Sequence, residues 1–465
     1  MKPIQYPMAN YQQIPGILPP NPIREFRGIN TYDPLSIPES FFTDMANLST
    51  DNFPVISTRP GFSVLGSAIG TKVLGIGVWK DQELHAVFND GTWRKWTGSS
   101  WQTLKSGLST TAEWSFTNFQ GGWTDINLVG ANGVNGLHRY DGSTVQTFGD
   151  APSDINFITT YQNRLWGASK KTLHASALDQ PEKWQDFDPL TLEENSYYKE
   201  MESPSGENIN MLSGSLTKLT IGMPSSIHEL YGGLPSDFNT RMITDDLGVA
   251  NNRSGMTLDG IMRIIHRTGI YEYAGGVLPN KSFSDIVKRY FAGINNQCAA
   301  GTDGTKCYFF IPSDTILVYD PRTQTWSVWK GINATCFAQM GTDFYIGDAQ
   351  GRVLKLGGTT DAGTPISWYA VTKPFNNDSL ARKQRWYKLW IVADVPTGST
   401  LQVFLSRSTE GDSDWEEVTT YMQGSRIIIP VSKFANENFI RIKISGTGPV
   451  NIREITRQQR ELPLV

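Results

Sequence analysis

Between residues 62 and 358, short apolar runs alternate with clusters of Gly, Asp, Asn and Thr, the pattern of strands joined by tight turns. Leu84 to Phe88 leads into Asn89-Asp90-Gly91-Thr92-Trp93, where Asp-Gly supplies the positive backbone angles of a hairpin. The same unit returns around Asp141, Asp320 and Asp348. Asp90 to Asp141 is a step of 51 residues, and a period of about 40 to 50 with four strands per repeat marks propeller blades. The 179 positions from Asp141 to Asp320 make about three and a half such steps, so the register is loose. Residues 62–358 therefore predict a β-propeller of about six or seven blades. A large sandwich or tandem sandwiches use the same hairpin chemistry and stand as the alternative.

After Gly357-Gly358 the alternation has a strict period of two. Ile440, Ile442 and Ile444 alternate with Arg441, Lys443 and Ser445, and Leu401, Val403 and Leu405 form a second such row. Residues 359–465 thus predict a β-sandwich. Ten of the 25 prolines fall in the first 60 residues, which predicts an extended arm over 1–61. A disordered tail would also be proline-rich, but Ile14, Leu18, Phe26, Phe41 and Phe42 make the segment more apolar than disorder usually is. They are candidate assembly contacts, on the chain's own body or on a neighbouring subunit. A short helix is expected near Ser284 to Phe291, capped by Ser284. The fold class is all-β.

Composition narrows the function. The formal charge is −4 and charged residues make up 18% of the chain, so sequence-specific DNA recognition, which favours a basic excess, is not expected. Cys298, Cys307 and Cys336 contain no CxxC pair; they read as buried small hydrophobes in a reducing compartment. No secretory leader and no apolar run of membrane-spanning length is seen.

Motifs for chemistry are sparse. His85, His138, His174, His228 and His266 never form a metal-binding pair, and no nucleophile elbow, phosphate loop or dinucleotide fingerprint occurs, so no catalytic residue, metal ligand or cofactor is assigned. Asn89 to Trp93 resembles the Asp-box turn of sialidase propellers. Those enzymes need converging arginines and a Tyr nucleophile with an acidic partner. Arg59, Arg94, Arg139, Arg164, Arg241, Arg253 and Arg263 are present, but spacing does not bring them together. Trp93, Trp96, Trp101, Trp114 and Trp123 fit a sugar-stacking platform or, more simply, packing between blades. Arg382, Lys383, Arg385 and Lys388, with Arg453, Arg457 and Arg460, fit either contact with DNA or an acidic subunit, or a solvated strand edge.

Two stretches carry a resemblance. Asp44 to Phe62, with Asn47-Leu48, Phe53-Pro54 and Arg59-Pro60-Gly61, and the segment Gly269-Ile270-Tyr271-Glu272-Tyr273-Ala274-Gly275 resemble the tail hub or nozzle ("phage stabilisation protein") family of short-tailed bacteriophages. The resemblance implies a non-enzymatic virion component, below the portal and adaptor, that lines the DNA exit channel, retains the genome and takes part in its ejection. It also implies a homo-oligomer, a hexameric ring, with portal, adaptor and other tail proteins as partners. Viral double-stranded DNA would pass without sequence specificity, and Arg59, Arg382, Lys383 and Arg385 join the candidate assembly contacts. The alternative is a receptor-binding or glycan-degrading propeller at the tail tip.

Overall fold

A computed structural model describes residues 18–203, 205–376, 380–411 and 414–462. The described chain is nearly all β and divides into two compact units, one of residues 60–364 and one joining the chain up to Arg59 with Pro365 onward.

The first unit is a seven-bladed β-propeller. Its innermost strands are Val73–Trp79, Ser115–Phe119, Phe157–Tyr161, Met211–Gly214, Gly255–Leu258, Ala299–Thr302 and Ala334–Met340, each opening an antiparallel sheet. Blade five has three strands among the described residues. Phe62–Val64 pairs antiparallel with Val353–Leu356 of blade seven, so backbone hydrogen bonds from the start of the unit close the ring. Neighbouring blades are further sewn together: Trp114 N donates to Leu74 O at 2.9 Å and Thr335 Oγ1 to Val73 O at 2.8 Å.

The aromatic residues fill the spaces between blades. Trp93 meets Trp114 and Phe116 edge-on at 5.4 and 5.0 Å, and Trp329, Tyr308 and Phe344 form a similar group in blades six and seven. Such offset and T-shaped pairs add about 0.5–1.5 kcal/mol each beyond area burial. Trp93 and Trp114 are thereby core residues and present no stacking platform. Where blades approach most closely, glycine is required: a Cβ on Gly214 would lie 1.9 Å from Thr160 O.

The four Asp turns are real but occupy two different places in the blade. Asp90 and Asp348 lie between second and third strands, whereas Asp141 and Asp320 lie at third-to-fourth turns. Each carboxylate accepts backbone N–H groups two to four residues on, as in Asp90 Oδ1 from Thr92 N at 3.0 Å. Mixing the two turn positions produces the loose spacing: Asp141 and Asp320 are four whole blades apart.

The second unit holds two antiparallel sheets. In one, Asn451–Glu461 and Gln384–Val395 run side by side, with Gly424–Ile428 at an edge. In the other, Phe42–Ala46, Ser367–Thr372, Arg441–Thr447, Thr400–Ser406 and Glu416–Tyr421 lie in that order. The expected alternation is present, with Leu401, Val403, Leu405, Ile442 and Ile444 fully buried.

One expectation, the helix cap, needs correction. Over its described part the proline-rich segment lies on the chain's own body, one of the two places expected for it. Asn21–Ile23 pairs with Asn451–Glu461, Pro22 being tolerated because it sits on an edge strand, and Phe42–Ala46 pairs with Ser367–Thr372. The helix at Asp285–Gly293 is 3-10 and Ser284 makes no side-chain cap; its hydroxyl donates instead to Ile270 O at 2.7 Å and Lys281 O at 3.1 Å.

Candidate functional site

Seven polar residues ring the mouth of the propeller at which the innermost strands begin. Lys72, Glu113, Asn156, Asn210, Arg253, Gln297 and Asn333 each stand one or two positions before the first strand of their blade, and all line the cavities at this end. Glu113 of blade two is held by Lys72 of blade one at 2.8 Å and by Arg253 of blade five. Blades two and five are not neighbours, so the pair crosses the axis. Asn252 Nδ2 reinforces the crossing by donating to Ser115 Oγ at 3.3 Å. Burial alone would raise the Glu113 carboxyl, but Arg253 and Lys72 outweigh it and hold the group below its ordinary value.

Glu113 and Arg253 of this clamp line a cavity of about 370 Å³ together with Asn132, Asn156, Asn210, Asn251, Asn252 and Asn296. A smaller one of about 240 Å³ shares Glu113 and Arg253 and reaches Lys72 and Asn333. Carboxamides donate and accept hydrogen bonds, so this mouth is equipped to hold polar groups.

A second acid network lies elsewhere. Glu229, fully buried in blade four, accepts from Lys218 Nζ, Tyr231 Oη and Tyr273 Oη, and from Gly276 N at 3.2 Å. Burial would raise its carboxyl, but these donors hold it down. The hydrogen bond to Glu229, with burial, pushes the Tyr231 phenol up to about 12; burial and Glu229 raise Tyr273 further. Both phenols stay protonated, opposite to what a Tyr nucleophile needs. The Gly269 to Gly275 segment thus serves packing: a Cβ on Gly275 would meet Lys218 Nζ.

The arginines do not converge. Arg94 pairs with Asp90 at 2.8 Å, Arg139 with Glu182 at 3.3 Å and Arg263 with Glu272 at 2.7 Å. Arg164, fully buried, donates to the carbonyls of Ser176, Glu193 and Asn195. The histidines lie in five different blades; burial lowers His85 to about 3 and His266 to about 4. Burial raises the Cys298 thiol to about 11 and the Cys307 thiol to about 12, and it also raises Cys336. Among the described residues no group of His, Cys, Asp or Glu is arranged to hold a metal, and no helix is long and apolar enough to cross a membrane.

The proposed assembly contacts separate into two sets. Phe26 and Phe42 are buried and stack on each other at 5.6 Å, and Arg59, 2% exposed, donates to Asn47 Oδ1 at 2.9 Å. They hold the second unit's own core and cannot also form an outer surface. Leu18 and Phe41 are half-buried, Leu18 through a backbone bond to Gln459 O at 3.0 Å. Arg382 pairs with Glu461 at 3.1 Å, whereas Lys383 and Arg385 are exposed. Ile14 lies outside the described residues. The sequence reading missed the Lys72–Glu113–Arg253 clamp, whose only signal is a charged residue directly before an apolar run.

No family model and no curated protein matches the chain. Solved structures with a similar fold include the extracellular domain of a hybrid two-component system from B. thetaiotaomicron, 14% identical at a TM-score of 0.46, of whose length the chain covers 48% and which covers 79% of this chain. Virginiamycin B lyase from Staphylococcus aureus is 10% identical at a TM-score of 0.45, over 62% of this chain and 95% of that one. The computationally designed Ika8 protein is 12% identical at 0.41, over 64% and 100%. These likenesses concern the fold alone.

Proposed function

We propose that the protein is a non-enzymatic structural component of a bacteriophage tail, a hub or nozzle subunit that assembles as a ring around the DNA exit channel. The reading rests on the resemblance of the Asp44 to Phe62 and Gly269 to Gly275 segments to that family. One structural observation supports it: buried titratable groups are consumed in separate packing networks, as Glu229 is by Lys218, Tyr231 and Tyr273. A second observation shapes it. Because Glu113 and Arg253 cross the propeller axis, a duplex cannot thread a single subunit, and the channel must run between copies. The near-neutral charge suits a conduit that does not hold phosphates.

Mass spectrometry of purified virions, with imaging of the protein on a portal and adaptor complex, tests this. A stoichiometric ring in the particle is expected; absence from virions removes the reading. The asparagine-lined cavity favours a second reading, receptor or glycan binding at the tail tip, for which oligosaccharide binding or release is the measurement.

A further inference from the structure

Blade three carries a feature that packing within the chain does not explain. Between Thr172–Ala175 and Tyr197–Glu200, residues 176–196 form a long excursion. It is pinned, not loose. Arg164 binds three of its carbonyls from beneath, Asn195 Nδ2 donates to Asp188 O at 2.7 Å and Leu190 N donates to Asp188 Oδ1 at 2.8 Å. Yet this braced loop and the strand after it hold Phe187, Leu190, Leu192 and Tyr198 out to solvent, 51%, 90%, 63% and 63% exposed. Residues 186–194 also contain four carboxylates, Asp186, Asp188, Glu193 and Glu194, and no cation, and of the four Asp186 is paired with Lys183 at 3.3 Å. Ordering a loop to expose apolar groups costs free energy twice, so a partner is the economical explanation.

The complementary surface is on the second unit. On the outer face of the Gln384–Val395 strand, Lys388, Trp390 and Val392 follow one another. Trp390 pairs with Ile428 and Val392 with Arg426 on the edge strand Gly424–Ile428. Ile428 is 65% exposed, Lys388 and Arg426 are exposed, and neither cation takes part in an ion pair among the described residues. One surface is apolar and acidic, the other apolar and basic.

We infer that the braced loop 186–194 of one copy docks on the Lys388, Trp390, Arg426 and Ile428 face of a second copy. The two patches differ, so the contact is head-to-tail and generates a ring or an open chain instead of a two-fold dimer. The inference rests on the tail-ring reading only in the choice of a second copy as partner.

Sedimentation of the full chain tests it. Self-association that weakens at least tenfold as salt screens the charges is expected. Leu190→Asp should weaken it at least tenfold through the apolar contact. Glu194→Lys and Arg426→Glu alone should each weaken it, while the two together regain most of the loss because the charges are exchanged. All three positions are exposed, so folding should be retained, as a melting curve verifies. A wild-type chain that stays monomeric at about 100 µM in low salt, far above the dissociation constant of an ordinary specific interface, overturns the inference. So does a combined variant no better than its parents, or a Leu190→Asp chain that associates like wild type. A protein present in virions with any of these results loses this interface and keeps the tail reading; association as stated by a protein absent from virions does the reverse.

Discussion

Arg253 of the fifth blade pairs with Glu113 of the second across the axis of the propeller, and Lys72 of the first holds the other carboxylate oxygen at 2.8 Å. One anion between two cations makes a keystone at one mouth of the ring. Removing its charge leaves the cations facing each other, which is worse than losing both halves of a pair. Glu113→Gln should therefore lower stability by about 1–2 kcal/mol, since the carboxylate is about one-third exposed and partly screened. Urea unfolding at neutral pH measures it. The folded carboxyl lies below its ordinary value, so the contribution is present above the ordinary carboxylate range and fades as pH falls through the lower folded value. The variant should lose that acid limb of the stability curve.

Gly61 has a steric task. Its φ is not in the left-handed region, so backbone freedom is not what this position requires. The requirement is space: a Cβ would stand 2.1 Å from Thr360 O, because Gly61 N donates to Gly358 O at 2.9 Å and the two segments run together there. Gly61→Ala should cost about 2 kcal/mol or more, with ring closure by Phe62–Val64 disturbed. Gly358 offers the contrast. Its φ is +79° with open space around it, so Gly358→Ala should cost only about 1 kcal/mol. Equal melting temperatures for the two variants would contradict the steric account.

Local chemistry was legible in the sequence and distant pairing was not. Asp90, Asp141, Asp320 and Asp348 mark real turns because an Asp side chain meets its own backbone within four residues. Their spacing misleads because the same short-range device serves two different turns of a blade. Pro22 does lie in extended chain, but the strand that receives its segment is more than 400 residues away, as Asn21 opposite Arg457 illustrates. Phe26 and Phe42 look like available anchors until that distant sheet covers them. The clamp is hidden for the same reason. Glu113 and Arg253 are 140 positions apart, and only the circular closure of the blades brings them together.

Arg164 offers a direct measure of how the braced loop is held. Its guanidinium is fully buried and bonded to the carbonyls of Ser176, Glu193 and Asn195, with no ion pair among the described residues, and burial lowers it to about 10. Arg164→Met should cost about 3 kcal/mol, because three carbonyls lose charge-assisted donors at once. Protease cleavage within 186–194 should quicken while the other blades keep their protection. Lysine should rescue only partly, since one ammonium cannot reproduce the planar fork.

The acid limb of stability has a second, larger source in His85. Its ring is fully buried, its Nδ1 accepts from Trp93 Nε1 at 3.1 Å, and burial followed by the nearby Lys95 lowers it from 6.5 to about 3. The unfolded chain takes up a proton near pH 6.5 and the folded chain does so only near pH 3. Stability is therefore complete above about pH 6.5 and declines as pH drops through that window, by an amount on the order of 4 kcal/mol at its lower end. His266, lowered to about 4, adds a smaller decline in the same direction. His85→Gln keeps an acceptor for Trp93 but cannot titrate. It should lower stability at neutral pH through imperfect packing and yet flatten the slope between pH 6 and 4, as unfolding free energies measured across that range would reveal. An unchanged slope would mean that His85 is protonated in the folded blade, and the Trp93 hydrogen bond would then have to be abandoned, because an imidazolium has no lone pair to accept it.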